Sequence, residues 1–186
     1  MPLLVQLPGV ALLSAMTILA AIGDIQRFES PEQLVGYAGL GARVHDSGES
    51  RKTGRITKAG RKDLRHTMVQ VAHIAKQKHP HWRGQFKRLA KRIGKQKAKV
   101  AIARKLLVAV WHSLAREEPA RHSTETQIAC AFFAHAYRVG VRNLPDGLSA
   151  TAYTRVQLDR LGIGRELTRI PWGSKRPKLP PSALPV

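Results

Sequence analysis

Trp82-Arg83-Gly84-Gln85-Phe86-Lys87-Arg88-Leu89-Ala90-Lys91-Arg92-Ile93 decides the fold class. Its apolar residues Phe86, Leu89, Ala90 and Ile93 recur at three- and four-residue spacing, with Lys87, Arg88, Lys91 and Arg92 turned outward. That period belongs to an amphipathic helix and not to a strand. Ahead of it, His79-Pro80-His81 breaks the chain, since a proline pushes its predecessor out of the helical region. Before the break, Thr57 is a candidate cap for a long helix to about Gln77. The stripe of that helix is Leu64, Met68, Val71 and Ala75, and Arg61, Lys62 and Arg65 crowd its first two turns. After the break a third helix is expected from about Lys97 to Leu114. Val100, Leu107, Val108, Trp111 and Leu114 form its inner side, and Lys97, Lys99, Arg104 and Lys105 lie toward its start.

The rest of the chain reads the same way. Val10 to Ile22 is apolar nearly all round, as in a core helix, and Gly23-Asp24 ends it. Ser30-Pro31-Glu32 supplies a cap and a proline at the first helical position, opening a short helix to about Ala38. Gly39-Leu40-Gly41 stops that helix. Residues 41–56 contain Gly41, Gly48 and Gly54 without helical periodicity and read as a loop, with which a short hairpin is compatible. Helices are expected near Thr124–Tyr137 and Ser149–Leu161. Pro171 to Val186 holds five prolines and reads as an extended tail. No stretch alternates convincingly as a strand and no internal repeat is visible. The fold class is therefore all-α: a compact helical domain, a Gly-rich loop and a Pro-rich tail.

Charge speaks about partners. The chain has 186 residues, 32 Lys+Arg and 12 Asp+Glu. Nineteen of the cations and only one acid, Asp63, fall in residues 51–105. Self-repulsion at that density is costly unless a polyanion neutralises it, so nucleic acid is the expected partner. A cytosolic enzyme acting on a small neutral substrate does not need this balance. With 5% aromatic residues, base stacking cannot be the main mode of contact. The single cysteine, Cys130, excludes an internal disulfide framework and a Cys-cluster zinc site, and reads as a small core residue. Leu3 to Ile22 lacks charge, but no cation precedes it and Pro8-Gly9 splits it. Neither a membrane span nor a secretory signal fits, and no membrane partner is expected.

Leu7-Pro8-Gly9-Val10, followed by a helix through Ala15, resembles the helix-hairpin-helix motif, in which hairpin N–H groups meet a DNA phosphate. On that reading Gly9 contacts nucleic acid; the competing one is an ordinary buried helix after a Pro-Gly turn. Further pieces follow in order: Ala21-Ile22-Gly23-Asp24-Ile25, Arg27-Phe28, Leu34, Tyr37-Ala38-Gly39-Leu40 and Ser47-Gly48. Then come Gly54-Arg55-Ile56-Thr57-Lys58-Ala59-Gly60, Leu64-Arg65, and Lys99 to Trp111 with Ala103-Arg104-Lys105-Leu106-Leu107. Together they resemble the C-terminal domain of the insertion sequence 110 family, the DEDD or bridge-RNA-guided serine transposases. The likeness runs from about residue 3 to 115, so residues 1–117 are expected as the transposase domain. Residues 118–186 are expected as a divergent helical extension with a tail.

The resemblance implies specific chemistry. Family members pair an N-terminal RNase H-like domain, whose carboxylates hold divalent metal, with a C-terminal domain bearing a serine nucleophile. That serine forms a phosphoserine link to DNA during transposition, and a structured bridge RNA selects the sites. Carried over, the nucleophile is Ser47, with Ser50 its competitor and a plain turn serine the alternative. Arg51, Lys52, Arg55, Lys58, Arg61, Lys62, Arg65, Arg88, Arg104 and Lys105 are expected to hold nucleic acid. Phosphoryl transfer is mostly positioning and charge neutralisation, which suits a serine among such cations. The metal-binding domain has no counterpart here, and Asp24, Glu29, Glu32, Asp46 and Glu49 follow no ligand spacing. No metal or cofactor is therefore expected on this chain, Mg2+ belonging to the full-length family enzyme, and a truncated copy inactive alone is expected. The partners implied are duplex DNA, bridge RNA and, in the full-length family, a second copy, in the nucleoid and cytoplasm of a bacterium or archaeon. The competing function is an inert, nonspecific nucleic-acid-binding module. His66 and His73, seven apart, read as ordinary helix histidines; His79 and His81 read as loop punctuation, and Trp82 as a helix anchor.

Overall fold

The computed structural model describes residues 2–47 and 50–185, with the backbone alone for 42–47 and 50–55. Its described elements are α1 (Pro2–Val5), α2 (Leu12–Ile22), α3 (Pro31–Tyr37), β1 (Ala42–Ser47), β2 (Ser50–Ile56), α4 (Lys62–Lys78), α5 (Pro80–Ile93), α6 (Lys95–Ala115), α7 (Glu125–Val139) and α8 (Ala150–Arg160). The all-helical class holds. The stretch read as a loop is an antiparallel hairpin, which pairs Val44 with Thr53, Asp46 with Arg51 and Ser47 with Ser50. Its strands are mostly polar, so hydrophobic alternation gave no signal for them.

Helix α6 is the centre. It packs against α1, α3, α4 and α5, and buries Ile102, Ala103, Leu106, Leu107, Val110 and Trp111. The expected inner side is corrected here: Leu107 and Trp111 are buried, whereas Val100, Val108 and Leu114 are half-buried. A helix surrounded by four neighbours has no single inner stripe, which a one-face reading misses. The Trp111 indole Nε1–H donates to the Phe28 carbonyl at 2.9 Å, so even the polar end of that ring is satisfied inside. Helix α5 sits at the edge, against α4 and α6. Only Trp82 of α5 is buried, and Phe86, Leu89, Ala90 and Ile93 stay half-buried.

The start of α4 also differs from expectation. Thr57 is no cap; the helix opens at Lys62. Between them Lys58 (φ +55°) and Gly60 (φ +119°) are left-handed, which interrupts any helix from Thr57. Their backbone groups pair elsewhere. Thr57 N–H donates to Gly41 O at 2.9 Å, Lys58 N–H to Gly39 O at 3.2 Å and Arg61 N–H to Tyr37 O at 2.9 Å. The turn after α3 and the segment before α4 thus clamp the base of the hairpin. Contact is close enough that a Cβ on Gly60 would lie 2.1 Å from Tyr37 O, and one on Gly39 2.4 Å from Ala59 O. Arg65 reaches across and donates to Ala38 O at 3.0 Å.

Residues beyond 117 close over the N-terminus. Helix α7 packs on α1 and α2. The buried Gln6 side chain accepts from Ala120 N–H at 2.8 Å and donates to Glu118 O at 3.2 Å. Thr124 and Gln127 cap α7 reciprocally. The Pro-rich end is extended but not loose: Leu179 is buried, and Ser182 Oγ donates to Asp159 at 2.7 Å. Arg155, buried, donates to the carbonyls of Gly164 and Pro180, each at 2.8 Å. Among the described residues no helix is long and apolar enough to cross a membrane.

Gly60→Ala should destabilise the chain by at least about 2 kcal/mol, since a side chain there meets backbone at a left-handed residue. Gly84→Ala, on open helix surface in α5, should instead stabilise by about 0.5–1 kcal/mol. Urea denaturation of both variants reads the contrast, and equal effects would refute the clamp.

Candidate nucleic-acid interface

The cations of residues 51–105 meet one acid, and Arg61 takes it. Its Nε and Nη2 reach the two Asp63 carboxylate oxygens at 3.0 and 2.6 Å. That guanidinium and the Leu64 N–H hold the Asp63 carboxyl well below its usual range. Asp63 in turn raises Arg61. No other described cation of this stretch has an acid partner, so Lys87, Arg88, Lys91 and Arg92 stand exposed along α5, with Lys95 and Lys97 following on α6. The helix period that buries Trp82 puts the four α5 cations on one outward side. Arg104 and Lys105 are exposed on α6, Lys58 and Lys62 beside the hairpin base. Arg65 is half-buried and tied to Ala38, so its hydrogen bond serves the clamp.

Ser47 ends β1, opposite Ser50 on β2. The hairpin therefore carries Ser47 to the end remote from the clamp, beside Gly48 and Glu49, which lie outside the described residues. The side chains of Ser47, Arg51, Lys52 and Arg55 also lie outside them. Gly9 (φ +88°) has a reason for being glycine that needs no phosphate: a Cβ there would stand 2.5 Å from Val71 O of α4. Its turn also borders a cleft lined by Lys78, Gln127 and Arg138.

Sequence reading missed a histidine cluster. His79 and His81 do not punctuate a loop. His79 is a buried residue next to Pro80, the first residue of α5, and neither ring nitrogen has a hydrogen-bond partner. The His81 ring stacks on His122 with centroids 3.6 Å apart and planes 13° apart, and Trp82 meets both edge-on. Burial lowers the pKa of both rings, helped at His81 by His122 and His79 ahead of Lys105 and Arg88, and at His122 by Arg121 and Lys105. Burial also lowers His79, with His122 behind it, and His135, with the N-terminal charge and Arg138 behind it. The rings are forty-one positions apart in the chain and meet because α6 returns between them, so no local motif announces the pair. Among the described residues no group of three or more His, Cys, Asp or Glu is arranged to hold a metal ion.

Comparison with known proteins bears on this arrangement. Residues 1–87 match the Transposase IS116/IS110/IS902 family. The putative transposase y4qE of Sinorhizobium fredii is 46% identical over 66 residues, 36% of this chain and 17% of that protein. The transposase for insertion sequence element IS1111A of Coxiella burnetii is 34% identical over 122 residues, 62% of this chain and 33% of that protein. The pilin gene-inverting protein of Moraxella bovis is 35% identical over 121 residues, 63% of this chain and 37% of that protein. The chain thus spans about a third or less of the first two relatives' length.

The histidines predict an acid response. Each has its pKa lowered in the fold from the ordinary value of 6.5. Below that pH the unfolded chain takes up protons that the folded one refuses, so stability is lost as pH falls and regained above it. Urea midpoints should drop between about pH 7 and pH 5, and His79→Leu should flatten the drop. A flat profile in the parent chain would contradict the burial.

Proposed function

We propose, from the match of residues 1–87 to the Transposase IS116/IS110/IS902 family, that this chain is the serine-bearing, DNA-binding part of a DNA-rearranging enzyme. Residues 1–117 form that part and residues 118–186 an extension packed on it. The observation that carries the reading is the row of exposed cations on α5 and α6 without acid partners among the described residues. A duplex or structured RNA supplies the missing negative charge, and counterion release drives the binding. Gly9, with the α2 N-terminus behind it, adds backbone N–H groups for a phosphate. The partners on this reading are duplex DNA, a bridge RNA and a second copy, within the nucleoid of a bacterial or archaeal cytoplasm.

The chemistry assigned to Ser47 is a transesterification. Its hydroxyl oxygen forms a bond to a DNA phosphorus while the bond from that phosphorus to one deoxyribose oxygen breaks. The serine proton ends on the departing hydroxyl, and the phosphoserine link keeps the bond energy for rejoining. Arg51, Lys52, Arg55 and Lys58 neutralise the phosphate, and a serine needs such help because its hydroxyl is a weak nucleophile. On this reading Mg2+ belongs to the N-terminal domain of a complete family enzyme, and no step runs through it here.

Duplex binding should weaken with salt at a log–log slope near −0.9 per phosphate contacted, so six contacts cost roughly a thousandfold between about 50 and 200 mM. Arg55→Ala and Lys58→Ala should each flatten the slope by about one unit. A slope near zero would show the cations to be merely solvated. Ser47→Ala should leave affinity and slope unchanged. It should abolish the covalent protein–DNA adduct formed when a complete family N-terminal domain, Mg2+ and bridge RNA are supplied. An adduct that survives Ser47→Ala moves the nucleophile to Ser50 or elsewhere; no adduct from the parent chain leaves an inert binding module.

A further inference from the structure

A cleft of about 350 Å³ opens between the start of α5, the middle of α6 and residues 118–123, with Leu106 and Ala109 on its apolar wall. That volume falls in the range of small-molecule sites, roughly 300–1,000 Å³. Its polar lining is of two kinds. One is the His81–His122 stack, braced from the side by the buried Trp82, with His122 the exposed member. The other is Lys105 and Arg121, both exposed and both close enough to His122 to act on its charge. Glu118 also lines the cleft, but Arg116 Nη1 stands 3.6 Å from its carboxylate and offsets its charge.

We propose that this cleft takes a single unstacked nucleotide of a bound nucleic-acid strand, its base laid on the exposed imidazole and its phosphate held by Lys105 and Arg121. The inference rests on the nucleic-acid reading of the chain and adds to it a site for one residue of the strand. A flat aromatic platform beside two cations and an apolar wall matches the two chemistries of a nucleotide, a π-faced base and an anion. With the pKa of each ring lowered by partial desolvation and neighbouring positive charge, the pair offers aromatic faces where two imidazolium ions would repel each other. A duplex whose bases stay stacked presents no free face, so the site selects melted, everted or single-stranded positions.

The test titrates the chain with dAMP, with deoxyadenosine and with inorganic phosphate, watching the imidazole resonances of His81 and His122 by NMR. In parallel, duplex affinity is measured against salt. dAMP should shift both rings and bind at least tenfold tighter than either fragment. His122→Ala, which removes the platform, and Ala109→Leu, which fills the cleft without changing charge, should each weaken dAMP binding tenfold or more while the duplex salt slope stays as it was. Far-ultraviolet spectra and urea midpoints of both variants establish that they fold. Phosphate binding as tightly as dAMP would make this a plain anion site and overturn the proposal. So would dAMP binding untouched by either variant, or no dAMP binding beside a steep duplex salt slope; that last outcome spares the nucleic-acid reading. A flat duplex slope would remove that reading and this inference with it.

Discussion

Two stretches of backbone approach one another at the foot of the hairpin with no side chain between them. Gly39 presses on Ala59 and Gly60 on Tyr37, at distances where a Cβ would overlap a carbonyl oxygen. Every chemical proposal for Ser47 depends on this contact, because it sets where β1 leaves the helical body and where β2 returns to it. Three backbone hydrogen bonds and the Arg65 guanidinium reinforce it. The contact also explains the strained φ of Lys58, which is held in the left-handed region by neighbours that fix both of its sides. The block Gly54 to Gly60, which carries much of the family resemblance, therefore runs from the end of the second strand into one jaw of the clamp.

Around that clamp the helices separate two jobs. Helix α6 packs on several sides, leaving one face with Arg104 and Lys105 exposed, and α5 packs on only one side. The cations consequently collect on α5 and on the exposed start of α6, where they cost least desolvation. The same division leaves the α5 apolar residues half-covered, an ordinary state for an edge helix with two neighbours. Arg61 and Arg65 show that membership of a basic run does not make a cation available. One is held by Asp63 and the other by a carbonyl, and both serve local geometry.

Residues 118–186, for which sequence offered no counterpart, are integral to the body of the molecule. Gln6 is bonded to their first turn, α7 covers α1 and α2, and the tail returns to α8 through Arg155 and Asp159. The histidine stack belongs to this joining, since His81 lies within the family-matched part and His122 beyond it.

What sequence alone determined was set by period and by sign. The stripes Leu64–Ala75 and Phe86–Ile93 repeat with the helix, Pro31 stands at a first helical position, Pro80 marks the break between two helices, and nineteen cations against one acid are a sum that no fold alters. The glycines of the clamp were visible as letters, but their reason was not, because close approach is a property of two distant segments. The hairpin could be read only as compatible with a Gly-rich loop, for a related cause: its pairing is made by backbone groups, which every sequence carries alike. Tertiary structure alone decided that α6 is buried on several sides, that α4 starts at Lys62, and that Arg155 is an interior residue. It alone placed His81 on His122. Each of these depends on what lies across a gap in space, and helical periodicity reports only the side a residue faces, not what waits there.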